Sequence, residues 1–64
     1  MVKINGSFLD ADGKTISEYL AETDYDPARI AIEQNGTIGP KAQYDKTTFT
    51  DGDIIEVVSF VGGG

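Results

Sequence analysis

The run Ile54-Ile-Glu-Val-Val-Ser-Phe-Val61 passes without a break into Gly62-Gly63-Gly64. β-Branched and aromatic residues at nearly every position fit a pleated strand. A strand apolar on both faces belongs at the centre of a sheet. The three glycines after it have no side chains with which to form a further packed element. They are expected to act as a flexible free end, because residues without Cβ can lie extended in a channel too narrow for side chains. Three extended residues reach roughly 10 Å. The reactive group they would carry is the α-carboxylate of Gly64. The 64 residues read as one domain, 1–61, followed by a glycine tail, 62–64.

The upstream segments supply the sheet around that strand. Val2-Lys-Ile4 alternates apolar and polar and reads as a strand. Asn5-Gly6 predicts a two-residue hairpin turn, since both central positions of a type I′ turn need positive φ, and Ser7-Phe-Leu9 is the return strand. Thr15-Ile-Ser-Glu18 is a capping box, in which the Thr15 hydroxyl and the Glu18 carboxylate each satisfy the other's backbone N–H. It predicts a helix over 16–23, with Ile16, Tyr19, Leu20 and Thr23 on one face. Two turns of helix do not persist alone in water, so this one must lie on the sheet. Pro27 ends it by disfavouring helical angles at Asp26. Ile30-Ala-Ile-Glu33, the second Asn-Gly turn at Asn35-Gly36, and Thr37-Ile38 form another hairpin. Lys41–Asp45 reads as a short helical turn with Tyr44 inward, and Thr47-Thr-Phe49 as a minor strand. Two hairpins flanking one helix, with the strongest strand central, make an α+β chain. The architecture is a β-grasp, a mixed sheet wrapped around one main helix.

Alternation assigns Val2, Ile4, Ile30, Ile32, Ile55 and Val57 to the helix side of the sheet. Phe8, Ile16, Leu20 and Tyr44 are expected to complete the core. Lys3, Asn5, Ala31, Glu33, Glu56, Val58 and Phe60 fall on the other face. Only one face has a helix to cover it, so Val58 and Phe60 are expected to stay partly exposed beside the tail. With Ala31 they form a candidate partner-docking patch.

Composition narrows the chemistry. The chain has no histidine and no cysteine, which argues against nucleophilic triads, zinc sites and histidine acid–base catalysis. No catalytic residue and no metal ligand set is assigned, and no cofactor is expected to be bound. Asp10-x-Asp12-Gly13 opens like a calcium loop, but Lys14 falls where the third ligand belongs, and a plain turn is the better reading. Asp51-Gly-Asp53 reads the same way. Asn5-Gly-Ser7 and Asn35-Gly-Thr37 match the glycosylation sequon, but hairpin geometry accounts for both. Eleven acids against five bases give a net charge of −6. That disfavours nucleic acid as a partner and favours a protein with a basic surface. No apolar run is long enough for a membrane span and no signal peptide opens the chain, so a cytoplasmic location is expected.

Over its whole length the chain resembles the ThiS family, the ubiquitin-like sulfur carriers of thiamine thiazole biosynthesis. The segments that carry the resemblance are Val2-Lys-Ile-Asn-Gly6, Thr15-Ile-Ser-Glu-Tyr-Leu20, Arg29-Ile-Ala-Ile-Glu-Gln-Asn-Gly36, Pro40-Lys41 and Asp51-Gly-Asp-Ile-Ile-Glu-Val-Val-Ser-Phe-Val-Gly-Gly-Gly64. The last is the most specific. Gly39 departs from the pattern, where an apolar residue is usual. The resemblance implies a carrier that is a co-substrate rather than an enzyme. A ubiquitin-activating-like adenylyltransferase would use ATP to adenylate Gly64. A sulfur donor enzyme would convert the adenylate to a thiocarboxylate, and thiazole synthase would accept the sulfur. Gly63 and Gly64 match the family's terminal pair; Gly62 joins the tail that threads into partners on flexibility grounds alone. Other readings stay open at this point: a molybdopterin-type sulfur carrier, a ubiquitin-like modifier joined to lysines through Gly64, or a non-covalent interaction module.

Overall fold

A computed structural model describes residues 1–60 of the chain. The expected strand end at Val61 and the whole tail, Gly62–Gly64, lie outside the described residues. Five strands and one α-helix run in the order β1 (Val2–Ile4), β2 (Ser7–Leu9), α1 (Ile16–Ala21), β3 (Ile30–Gln34), β4 (Thr37–Ile38) and β5 (Ile54–Ser59). They form one sheet in the spatial order β2-β1-β5-β3-β4. β5 is central. It pairs parallel with β1 and antiparallel with β3, so the sheet is mixed, as a β-grasp requires.

Both Asn-Gly turns have the backbone the sequence predicts. Asn5 and Asn35 are at φ 48° and 53°, followed by Gly6 and Gly36 at 84° and 86°. These left-handed angles are ones that asparagine tolerates and glycine adopts freely. The capping box forms in both directions: Glu18 N–H donates to Thr15 Oγ1 at 3.1 Å, and Thr15 N–H donates to Glu18 Oε1 at 2.8 Å. Hydrogen bonds from the Thr15 N–H and the Thr15 hydroxyl hold the Glu18 carboxyl below its usual range. The helix stops at Ala21, two residues before the expected end. There the Thr23 N–H and hydroxyl both turn back onto the Leu20 carbonyl, which tightens the last turn out of α geometry. The Lys41–Asp45 segment forms a 3-10 turn over Lys41–Gln43.

The core lies between α1 and one face of the sheet. Val2, Ile4, Ile30, Ile32, Ile55 and Val57 are all buried, joined by Ile16, Leu20 and Tyr44. Tyr19 and Tyr25 pack against this cluster from its edge. Two further core members come from irregular segments: Ala11 and Phe49, the latter only 2% exposed. The minor strand expected at 47–49 reduces to one bridge, Thr15 with Thr48. The Phe49 backbone instead clasps the loop before α1: its N–H donates to Lys14 O, and its carbonyl accepts from Gly13 N–H. The Phe49 ring meets Tyr19 edge-on at 5.7 Å.

Phe8 is a correction. It is 68% exposed, not in the core. The two-residue turn sets Lys3 opposite Phe8, and residues directly opposite share a face. Phe8 therefore joins Lys3 on the outer side, with the ammonium 5.8 Å from the ring centroid.

Candidate docking face around the central strand

The outer face of the sheet has no helix over it. Val58 and Ala31 are direct cross-strand partners on β5 and β3. Val58 is 43% exposed and Phe60, two residues further along the same side, 53%; Ala31 is half-buried. The three residues singled out from the sequence are thus on one exposed surface. Phe60 lies just past the end of β5, yet its N–H donates to Arg29 O at 2.8 Å, so the chain stays fastened to the β3 side up to that point. The exposed side chains of Ile54 and Ile38 widen the apolar surface. Ile38 enters it because it faces Glu33 across the β3–β4 pair. Alternation along β5 could have flagged Ile54; Ile38 needed the hairpin register.

Both Asn-Gly turns also hold β5, a role the hairpin reading did not include. Asn5, expected to point from the outer face, turns its carboxamide onto the β5 backbone. Its Oδ1 accepts the Val57 N–H at 2.8 Å, and its Nδ2 donates to the Val57 carbonyl at 3.4 Å. β1 has already ended, so the side chain continues its ladder. On the opposite edge of β5, the Asn35 N–H donates to Ile54 O at 2.8 Å, and Asn35 Oδ1 accepts the Ile54 N–H at 2.9 Å.

Asp53 anchors the start of the strand. Its carboxylate accepts from Gln34 Nε2 at 2.9 Å, Asn35 Nδ2 at 3.0 Å and Thr50 N–H at 2.8 Å. Burial pushes this carboxyl up, but the hydrogen bonds from Asn35, Thr50 and Gln34 together outweigh it and hold it below the usual range. Asp53 is thus a structural anchor, where the sequence suggested only a solvated turn. Among the described residues no group of three potential metal-ligating side chains gathers, and no helix is long and apolar enough to cross a membrane. At Gly39 a Cβ would meet nothing within 4 Å, so the departure at that position leaves the packing unaffected.

A mixed sheet around one helix, with an exposed apolar face on its central strand, defines a ubiquitin-like β-grasp protein. The family model described as the ThiS family matches residues 1–64. The chain belongs to the ThiS family. It is 35% identical over 66 residues to the sulfur carrier protein ThiS of Bacillus subtilis, with both chains covered completely. It is also 40% identical over 50 residues to a thiazole synthase of Paramagnetospirillum magneticum; that match takes in 78% of this chain but 15% of the relative's length. Among solved structures, the crystal structure of the thiamine biosynthesis protein ThiS from Geobacter metallireducens superposes with a TM-score of 0.77 at 31% identity, covering 98% of this chain and 97% of that one.

Proposed function

We propose that this protein is a cytoplasmic sulfur carrier of thiamine biosynthesis, a co-substrate whose reacting group is the Gly64 carboxylate. The observation that carries the reading is the match of the whole chain, including its Gly63-Gly64 end, to the ThiS family. In the proposed cycle an adenylyltransferase binds ATP, and a Gly64 carboxylate oxygen attacks its α-phosphorus. Pyrophosphate leaves and an acyl adenylate forms. The terminal sulfur of a persulfide on the donor enzyme then attacks the acyl carbon, and AMP departs with the bonding pair. A thiol cleaves the remaining S–S bond, being oxidised to a disulfide as the thiocarboxylate is released. Thiazole synthase takes the sulfur and returns the carboxylate. ATP is the partner's cofactor, and none is assigned to this chain.

The protein's own contribution is presentation. Gly62, Gly63 and Gly64 can thread where side chains would clash, and the patch of Val58, Phe60 and Ala31 gives partners a surface next to the tail. Thiazole synthase as a partner is supported by the relative of that name, part of whose length resembles this chain. Intact mass after incubation with ATP, a sulfur source and the adenylyltransferase of the same genome tests the reading. The expected result is one sulfur in place of one oxygen, located at Gly64 by fragmentation. An active adenylyltransferase that leaves the mass unchanged would overturn it. Phe60→Asp should keep the fold and weaken partner binding; unchanged affinity would remove the docking patch from the reading.

A further inference from the structure

The centre of the outer sheet face holds a like-charge pair. Glu33 on β3 and Glu56 on β5 are direct cross-strand partners, and two carboxylates in that relation repel. Neither makes an ion pair or a side-chain hydrogen bond with another described residue. Lys3, the cation of this face, is turned over the Phe8 ring towards the opposite edge of the sheet. Around the pair stand Ile54 and Val58 along β5, Ile38 across from Glu33, and Ala31 paired with Val58. All are exposed except the half-buried Ala31. An unneutralised charge pair ringed by apolar side chains has the plan of a binding hot spot, in which the ring excludes water from a central polar contact.

We propose that Glu33 and Glu56 together receive one arginine side chain of thiazole synthase when that enzyme covers the sheet face. This rests on the carrier function proposed above and adds the chemistry of recognition to it. Charge complementarity selects the occupant. Two carboxylates facing one another across neighbouring strands offer four acceptor oxygens. A guanidinium presents five donors in a fixed planar fork, whereas an ammonium is a compact point charge. Arrival of the arginine converts a repulsion within the sheet into two charge-assisted contacts, so the free carrier bears a mismatch that the complex relieves. The same pair makes the encounter salt-dependent.

The test is the affinity of the full-length carrier for thiazole synthase of the same genome, by calorimetry at low and at physiological salt. The double variant Glu33→Gln, Glu56→Gln should bind at least tenfold more weakly and lose much of the salt dependence, while melting no lower than the parent because a repulsion has been removed. Glu33→Lys with Glu56→Lys should abolish binding, and an arginine-to-glutamate change at the contacting position of the enzyme should restore it. Phe60→Asp separates docking of the face from the arginine contact. If the double glutamine variant binds as tightly as the parent while Phe60→Asp does not bind, the face docks but the arginine assignment is wrong. If both bind like the parent, or the parent itself does not bind, the docking reading fails and this proposal with it.

Discussion

Replacing Asn5 tests how the central strand is held. The side chain does two things at once: it occupies φ 48°, and its Oδ1 satisfies the Val57 N–H at 2.8 Å. Three substitutions separate these roles. Asn5→Asp keeps an acceptor oxygen and a side chain that tolerates left-handed backbone, and gives up only the 3.4 Å contact from Nδ2 to the Val57 carbonyl, so it should cost least. Asn5→Gly accepts the φ but leaves the Val57 N–H without its partner. An unsatisfied buried donor costs about 1–3 kcal/mol. The Val57 site is only partly buried, so water can reach it in part and the lower half of that range applies. The ease of glycine at this φ is roughly offset by its extra freedom in the unfolded chain. The expected net loss is about 1–2 kcal/mol. Asn5→Ala suffers the same lost bond and also places a Cβ in the left-handed region, adding about 1 kcal/mol. In a domain of this size each kcal/mol shifts Tm by about 4–8 °C. Urea denaturation should rank the proteins parent, Asp, Gly, Ala in falling stability. Hydrogen exchange should show the Val57 amide losing more protection than the Ile32 amide in the glycine variant. A glycine variant as stable as the parent, with Val57 protection intact, would refute the view that the carboxamide extends the β1 ladder.

Phe49 provides the second test, because it is a core residue held by loops. Phe49→Leu removes the edge-on contact with Tyr19 and leaves a small void, which should lower stability by about 1–2 kcal/mol in denaturant titration. No loss would mean that the loop core is dispensable. Asp53→Asn should destabilise the protein at pH 7, since one oxygen that accepts hydrogen bonds becomes an amide facing donors. A carboxyl whose folded pKa is lowered contributes stability above its unfolded value, about 3.9, and that contribution is lost as pH falls through the folded value. The gap between parent and Asp53→Asn in urea titrations should therefore narrow as pH drops below about 4; a constant gap from pH 7 to strong acid would show that the charge of Asp53 does not matter.

Much of this fold is legible because the chain states it locally. The two Asn-Gly pairs fix both hairpins, the capping box fixes the start of α1, and two-residue alternation gives the correct inner face for all six sheet positions assigned to it. Phe8 is instructive because the information needed to place it was also local. A two-residue turn at Asn5-Gly6 puts position 8 opposite position 3, and alternation along β1 sets Lys3 outside. Hydrophobicity alone pulled Phe8 into the core, and register overrules it. Phe49 and Ala11 are different. They are buried because two irregular segments cross near the helix start, and no period in the sequence encodes such a crossing. The candidate docking face is intermediate. Val58 and Phe60 follow from a strand apolar on both sides, whereas Ile38 and the facing of Glu33 by Glu56 depend on pairing between strands.

The same pairing explains why a small domain tolerates its least favourable surface. A chain of 64 residues buries only about 60% of its unfolded surface, so its margin is narrow. Even so, its central strand leaves Ile54 and Val58 exposed, with Phe60 exposed just past its end, and sets two carboxylates against each other. These features would be easy to lose in a protein shaped for stability alone. Here they are compensated at the ends of the strand: Asn5 and Asn35 bind its backbone from either side, and Asp53 is fixed by three donors where it begins. Because those bonds engage the backbone and the inner side of the strand, the outer side chains remain free to be matched by another protein. A variant that polished this face, with Val58, Phe60 and the Glu33–Glu56 pair all made neutral and polar, should melt no lower than the parent and yet fail to deliver sulfur to thiazole synthase at a normal rate. Retained transfer in such a variant would show that the tail alone suffices for recognition.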